Sequence, residues 1–138
     1  MRIARLARGD EAVVLAGSEL FDKPATAARA AAFLAREGHH LLFALTDEDE
    51  PIGFVSGVET MHPDKGTEMF LYELEVAEAH RGKGVGRALV AALADLAREL
   101  GCYGMWVATD ADNVAALKAY TAAGGGPPEP FVMLTWEF

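Results

Sequence analysis

The stretch Arg81-Gly82-Lys83-Gly84-Val85-Gly86-Arg87 is the most informative in this chain. It follows an apolar run, Met69 to Val76, that has the look of a strand. It precedes a segment in which Val85, Leu89, Leu93, Leu96 and Leu100 recur at helical spacing. A turn between strand and helix gathers unpaired backbone N–H groups and the positive end of the helix dipole at one point. Glycines let an anion approach that backbone, and Arg81, Lys83 and Arg87 add charge, which is what a pyrophosphate requires. The competing reading is a cationic loop that only turns the corner. The stretch is not a P-loop, because Lys83 comes too early and no hydroxyl follows it. It is not a dinucleotide fingerprint either, since Arg87 stands where the third glycine belongs.

Downstream, Gly101 closes the helix and Tyr103 to Val107 reads as a strand, so the strand–helix–strand unit from Met69 predicts one parallel pair. Upstream, Leu41 to Thr46, Ile52 to Val58 and Met69 to Val76 are joined by short turn-rich links and predict an antiparallel meander. Arg2 to Leu6 is a weak strand. Asp10 is placed to cap a helix running through Val13, Val14, Gly17, Leu20 and Phe21, and a second helix spans Ala25 to Glu37 with Pro24 before it and Gly38 at its end. Asp112 or Asn113 caps a last helix reaching about Ala123, and of Asp110 and Asp112 the latter is the preferred cap. After the turn Gly124-Gly125-Gly126-Pro127-Pro128, Phe131 to Phe138 reads as a final strand. The expected order is β-α-α-β-β-β-α-β-α-β, an α/β chain with a mixed sheet.

The 138 residues, 51% apolar and 24% charged, suit one globular domain covering 1–138. Asp and Glu outnumber Lys and Arg by 21 to 12, for a formal charge of −9, so a phosphate backbone would be repelled and a cationic partner is favoured. The single cysteine, Cys102, cannot form an internal disulfide, and no apolar run has the length of a membrane span. No apolar stretch of signal-peptide type follows the arginines of the first residues, and a cytoplasmic location is the expectation. His39, His40, His62 and His80 match no zinc spacing, and no metal is expected. Trp106 and Trp136 read as core residues, and Cys102 as a small buried one.

A second block lies downstream of the glycine turn: Asn113-x-x-Ala116-x-x-x-Tyr120-x-x-x-Gly124. Arg81-x-x-Gly84-x-Gly86, preceded by Leu74-Glu75-Val76, together with this block and the element order, resembles the GNAT N-acetyltransferases. The resemblance covers nearly the whole chain. Within that family the pieces Met69-Phe70-Leu71-Tyr72-Glu73-Leu74, His80-Arg81-Gly82 and Cys102 to Val107 are similar to the aminoglycoside 3-N-acetyltransferases. The chain departs from the family at Gly125, where a phenylalanine is usual, and leaves room for one terminal strand where many members have two.

The resemblance implies that the two strands flanking the motif helix splay apart to admit the pantetheine arm of acetyl-coenzyme A. Leu74, Glu75 and Val76 would line that arm, with backbone N–H groups near Leu74 and Val76 bonding the acetyl oxygen and the arm. Arg81, Gly82, Lys83, Gly84, Val85, Gly86 and Arg87 would hold the pyrophosphate, Asn113 would bond the pantetheine amide, and Tyr120 would stand beside the sulfur. Acetyl transfer to an amine needs an oxyanion donor, a neutral amine and an acid for the leaving thiolate. Tyr120 is the expected acid, with core packing as its alternative. Asn113 has a helix-capping reading beside its cofactor one. Glu73 and Glu75 share one face of the strand, and Glu73 is the expected carboxylate that orients the acceptor ammonium and relays its proton. Asp110 and, secondarily, Glu59 are expected to bind the acceptor. The function so implied is acetyl transfer to a primary amine of a small polycation, an aminoglycoside at its 3-amino group first, with an antibiotic-resistance role in view. A polyamine, an amino acid or a protein amino group is the alternative acceptor, and a non-catalytic coenzyme A-binding module is the alternative class. A homodimer is implied by family habit.

Overall fold

The structure, a computed structural model, describes residues 1–138. Five strands form one sheet in the order β1-β2-β3-β4-β5: β1 Arg2–Arg5, β2 His39–Leu45, β3 Pro51–His62, β4 Gly66–Val76 and β5 Met105–Trp106. The first four pair antiparallel and β5 joins β4 in parallel, as the strand–helix–strand unit predicted. Helices α1 (Glu11–Ala16) and α2 (Ala27–Ala35) cover one face, while α3 (Val85–Glu99) and α4 (Val114–Ala122) lie toward the other. No helix is long and apolar enough to cross a membrane.

Period-two alternation along β2 sorts its side chains between two cores. Leu42 and Ala44 pack with Leu89, Leu93 and Leu96 of α3, whereas Leu41, Phe43 and Leu45 pack with Val14 and Ala30 of α1 and α2. The α3 stripe comes very close to β3. A Cβ on Gly57 would lie 2.8 Å from both Leu93 Cδ1 and Met69 Sδ, so only glycine fits between helix and strand there.

A β-bulge in β4 sets the polar side of the sheet. Ser56 faces Glu73 across the ladder, but the next residue, Gly57, faces Leu71, leaving Tyr72 as the extra residue. Met69 and Leu71 point to the α3 core before the bulge, and Leu74 and Val76 do so after it. The slip in phase therefore puts Tyr72 and Glu73, adjacent in sequence, on the same α1–α2 face.

Several expectations are corrected. The first helix stops at Ala16, and Ser18–Leu20 is a separate 3-10 turn. Gly17 interrupts it, lying so close to Phe43 that a Cβ there would sit 2.5 Å from the ring. The Asp10 carboxylate accepts from the Ala7 N–H (2.8 Å) and caps no helical N–H. The second helix starts at Ala27 under a Thr26 cap, whose Oγ1 accepts from the Arg29 N–H at 3.2 Å, and ends at Ala35. Asn113 caps α4, its side-chain oxygen accepting from the Ala116 N–H at 3.2 Å, and Asp112 does not.

The largest correction is at the end of the chain: Phe131 to Phe138 forms no strand, and Val132, Trp136 and Phe138 are exposed. A strand needs a ladder, and β5 extends over only Met105–Trp106, so its outer edge offers little to pair with. Trp106 is not core either. It is 45% exposed and stacks on Phe70 with ring centroids 4.3 Å apart.

Candidate active site

The parallel pairing of β4 with β5 covers only Met69↔Met105 and Phe70↔Trp106. Beyond those pairs β4 continues to Val76 along β3 alone, so the two strands part and leave an opening between them. The stacked Phe70–Trp106 rings stand at its apex, and Tyr72 meets Phe70 edge-on at 5.7 Å.

The Gly82–Arg87 loop lies beyond the far end of β4. The backbone N–H groups of Gly82, Lys83, Gly84, Val85, Gly86 and Arg87 reach no carbonyl of the chain, and the first helical bond of α3 runs from the Ala88 N–H to Gly84 O at 3.0 Å. Gly82 (φ 72°) and Gly84 (φ 84°) are left-handed, the backbone form that makes successive N–H groups converge into an anion-binding concavity. A Cβ on either would meet nothing in the chain, so the space beside them is open. Gly86 differs: it faces inward, with Ala119 of α4 at 3.4 Å and Val76 of β4 at 3.7 Å from its would-be Cβ. These features fit a pyrophosphate.

Of the cations named for that anion, two are engaged by the chain. The Arg81 guanidinium donates to Glu75 Oε1 at 2.8 Å and to Val76 O at 2.9 Å, clamping the loop to β4. Lys83 Nζ donates to Ala79 O at 3.0 Å, and Arg87 is exposed on the first turn of α3. Glu75 Oε1 also accepts from the Val76 N–H at 3.2 Å, so that donor, expected to serve the pantetheine arm, is held by the chain.

Tyr120 and Glu73 lie on opposite faces of the sheet. Tyr120 packs with Leu74 and Val76 against the α3 core, half-buried, and loss of water around its ring raises its pKa above the usual tyrosine value. Glu73 lies on the α1–α2 face, where partial burial first, and the Asp22 carboxylate second, raise its pKa above the ordinary carboxyl value. Asn113 donates from Nδ2 to Thr109 Oγ1 at 3.3 Å while capping α4, and is exposed at the start of that helix.

Of the other two expected acceptor residues, Glu59 stands apart from Glu73. Glu59 points to the α3 face, where its Oε2 meets His40 Nε2 at 2.8 Å, and the sheet separates it from Glu73. Asp110 is exposed after β5, and its carbonyl accepts from the Asn113 N–H at 3.0 Å. Two residues near Glu73 were missed in the sequence. Tyr72 reaches this face through the bulge, which the shift of apolar positions from Met69 and Leu71 to Leu74 and Val76 signals. Ser56 is assigned only by the ladder.

Comparison with known proteins bears on the fold and the family. The chain is 44% identical to the streptothricin acetyltransferase of Streptomyces lavendulae over 52 residues, which is 38% of this chain and 28% of that one. It spans between 28% and 54% of the length of the curated relatives it matches. An aminoglycoside acetyltransferase from an uncultured soil metagenomic sample, solved with sisomicin, superposes with a TM-score of 0.90 at 18% identity, covering 99% of this chain and 95% of that one. The aminoglycoside N-acetyltransferase AAC(6')-Iy with CoA superposes with a TM-score of 0.78 at 19% identity, over 99% of each chain. At these identities the two structures speak for the fold alone. The model of the acetyltransferase (GNAT) family matches residues 10–124, most of the chain, and the chain belongs to that family.

Proposed function

We propose that this chain transfers an acetyl group from acetyl-coenzyme A to the primary amine of a small cationic acceptor. The observation that carries the proposal is the parting of β4 from β5 in front of a run of unpaired N–H groups, Gly82 to Arg87. The loop takes the pyrophosphate through those N–H groups. Arg81 serves by fixing the loop to Glu75 and Val76. The arm then lies in the opening along Leu74 and Val76, with Asn113 and Tyr120 at its far side.

The co-substrate supplies an activated acetyl group as a thioester. Glu73 receives the acceptor as an ammonium, takes its first proton and passes it to solvent, and takes the second nitrogen proton as the C–N bond forms. Its raised pKa favours the task because a carboxylate of higher pKa is a stronger base. As the C–N bond forms and the C–S bond breaks, the Tyr120 hydroxyl gives its proton to the departing sulfur and is reloaded from solvent. Its raised pKa keeps it protonated at neutral pH.

The acidic groups Glu19, Asp22 and Glu78 gather beside this face and favour a cationic acceptor. Aminoglycosides, bound or acetylated by the relatives above, are the first acceptors to try, with the 3-amino group as the position to inspect on any product. Thiol release from acetyl-coenzyme A with a panel of amines is the test. Release that requires an amine supports acetyl transfer, while tight coenzyme A binding without amine-dependent release supports a binding module.

A further inference from the structure

The cavity on the α1–α2 face extends well past Glu73. It holds about 440 Å³, and its wall is built from Val14, Phe21, Phe33, Leu41, Phe54 and Val58. Glu73 and Arg29 are its charged lining residues, one of each sign, so the pocket itself is not electronegative. One polar group inside it is unexplained. Ser56 is 6% exposed, and its hydroxyl has no hydrogen-bond partner in the chain, although a buried hydroxyl normally has one. Ser56 lies directly opposite Glu73 in the β3–β4 ladder, and both line the cavity.

We infer that the acceptor is a primary amine joined by a short linker to an aromatic or branched apolar body, its ammonium between Glu73 and Ser56 Oγ and its body in the cavity. The inference rests on the amine-acceptor reading above and names the substrate class. The ammonium donates to the carboxylate and to the serine oxygen, which satisfies the orphaned hydroxyl. The apolar wall, with Phe21, Phe33 and Phe54 among its lining residues, gains by excluding water. Inside the cavity a polycation has no comparable fit, because its further charges would lie against the apolar wall or face Arg29. An aminoglycoside would have to be held outside it, by the acidic groups beside this face.

The test compares phenethylamine, ethanolamine and sisomicin, by calorimetric binding and by acetyl transfer. The parent should bind phenethylamine at least about tenfold tighter than ethanolamine, which has the same amine and no apolar body. Ala25→Trp fills the cavity from its rim and should bring that ratio close to one. Should this variant misfold, nuclear Overhauser contacts from the phenyl ring to the Val58 methyls in the parent locate the ring in the cavity independently. Equal binding of the two amines, a ratio that survives in a folded Ala25→Trp, or absent Val58 contacts overturns the inference. If phenethylamine binds here and no amine is acetylated, the acetyl-transfer reading falls and the cavity assignment stands. If sisomicin is acetylated and phenethylamine neither binds nor reacts, the cavity assignment falls and acetyl transfer stands.

Discussion

Gly84→Val separates anion binding from backbone strain. Gly84 is left-handed, at φ 84°, directly before α3, and a Cβ there would touch nothing in the chain. The folded protein thus meets no clash, only the cost of a branched side chain in a left-handed conformation, on the order of 1–2 kcal/mol. For a domain of this size that lowers Tm by a few degrees, roughly 3–8 °C. The loss in binding is a separate quantity. The valine side chain occupies the open space beside the unpaired N–H groups, and each charge-assisted hydrogen bond denied to a pyrophosphate is worth about 1.5–3 kcal/mol. Loss of one such bond weakens coenzyme A by at least about tenfold. Gly101→Val is the matched control: it is left-handed at φ 79°, its Cβ also meets nothing, and it sits past the opposite end of α3. Calorimetry and melting curves on both variants should give similar losses of Tm, with coenzyme A binding lost only in Gly84→Val. If Gly84→Val binds like the parent, or Gly101→Val loses binding equally, the loop does not hold the pyrophosphate.

Tyr120→Phe removes only the hydroxyl, so kcat should fall by about 10²–10⁴ with coenzyme A affinity unchanged; a fall below tenfold in steady-state kinetics returns Tyr120 to packing. Glu73→Gln should lower kcat and remove an acid limb of the pH–rate profile that lies above the ordinary carboxylate range, the direction in which burial and Asp22 push this group. The sign for stability follows from the same shift. The folded state holds the Glu73 proton to higher pH than the unfolded state, so its contribution falls as pH rises from the ordinary carboxyl value through the raised one. Melting curves of Glu73→Gln should lack that fall and show no loss of Tm at neutral pH; a large loss would mark Glu73 as structural. Gly57→Ala should cost about 1–3 kcal/mol in denaturant unfolding, because its Cβ would meet Leu93 and Met69 at 2.8 Å; a neutral result would mean that α3 shifts freely on β3.

The parts of the fold carried by local pattern were legible. The α3 stripe, the glycine turn before it, the antiparallel meander and the parallel return to β5 each have a signal within a few residues. What escaped depends on partners distant in sequence. Phe131 to Phe138 has strand composition, but whether it pairs depends on how far β5 extends. The break at Gly17 depends on Phe43, and the exposure of Trp106 depends on Phe70. At the site, Glu73 was legible from strand alternation and the family resemblance, and the bulge leaves it on the α1–α2 face beside Tyr72. Glu59 was misplaced because face assignment in β3 depends on register with β2, where His40 waits for it. Arg81 was read as an anion ligand because its charge is visible in sequence and its partner, Glu75, is not. Ser56 carried no signal at all, since only the bulge at Tyr72 fixes it opposite Glu73.

The placement proposed for the donor, in the opening between β4 and β5 with its pyrophosphate on the Gly82–Arg87 loop, is best tested by amide hydrogen exchange with and without coenzyme A. The N–H groups in question reach no carbonyl in the chain and so have little protection of their own. Coenzyme A should slow exchange at Gly82 to Arg87 and along Leu74 to Val76, with α1 and α2 unchanged. Slowed exchange confined to the α1–α2 face, or an unprotected loop at saturating coenzyme A, would refute that placement.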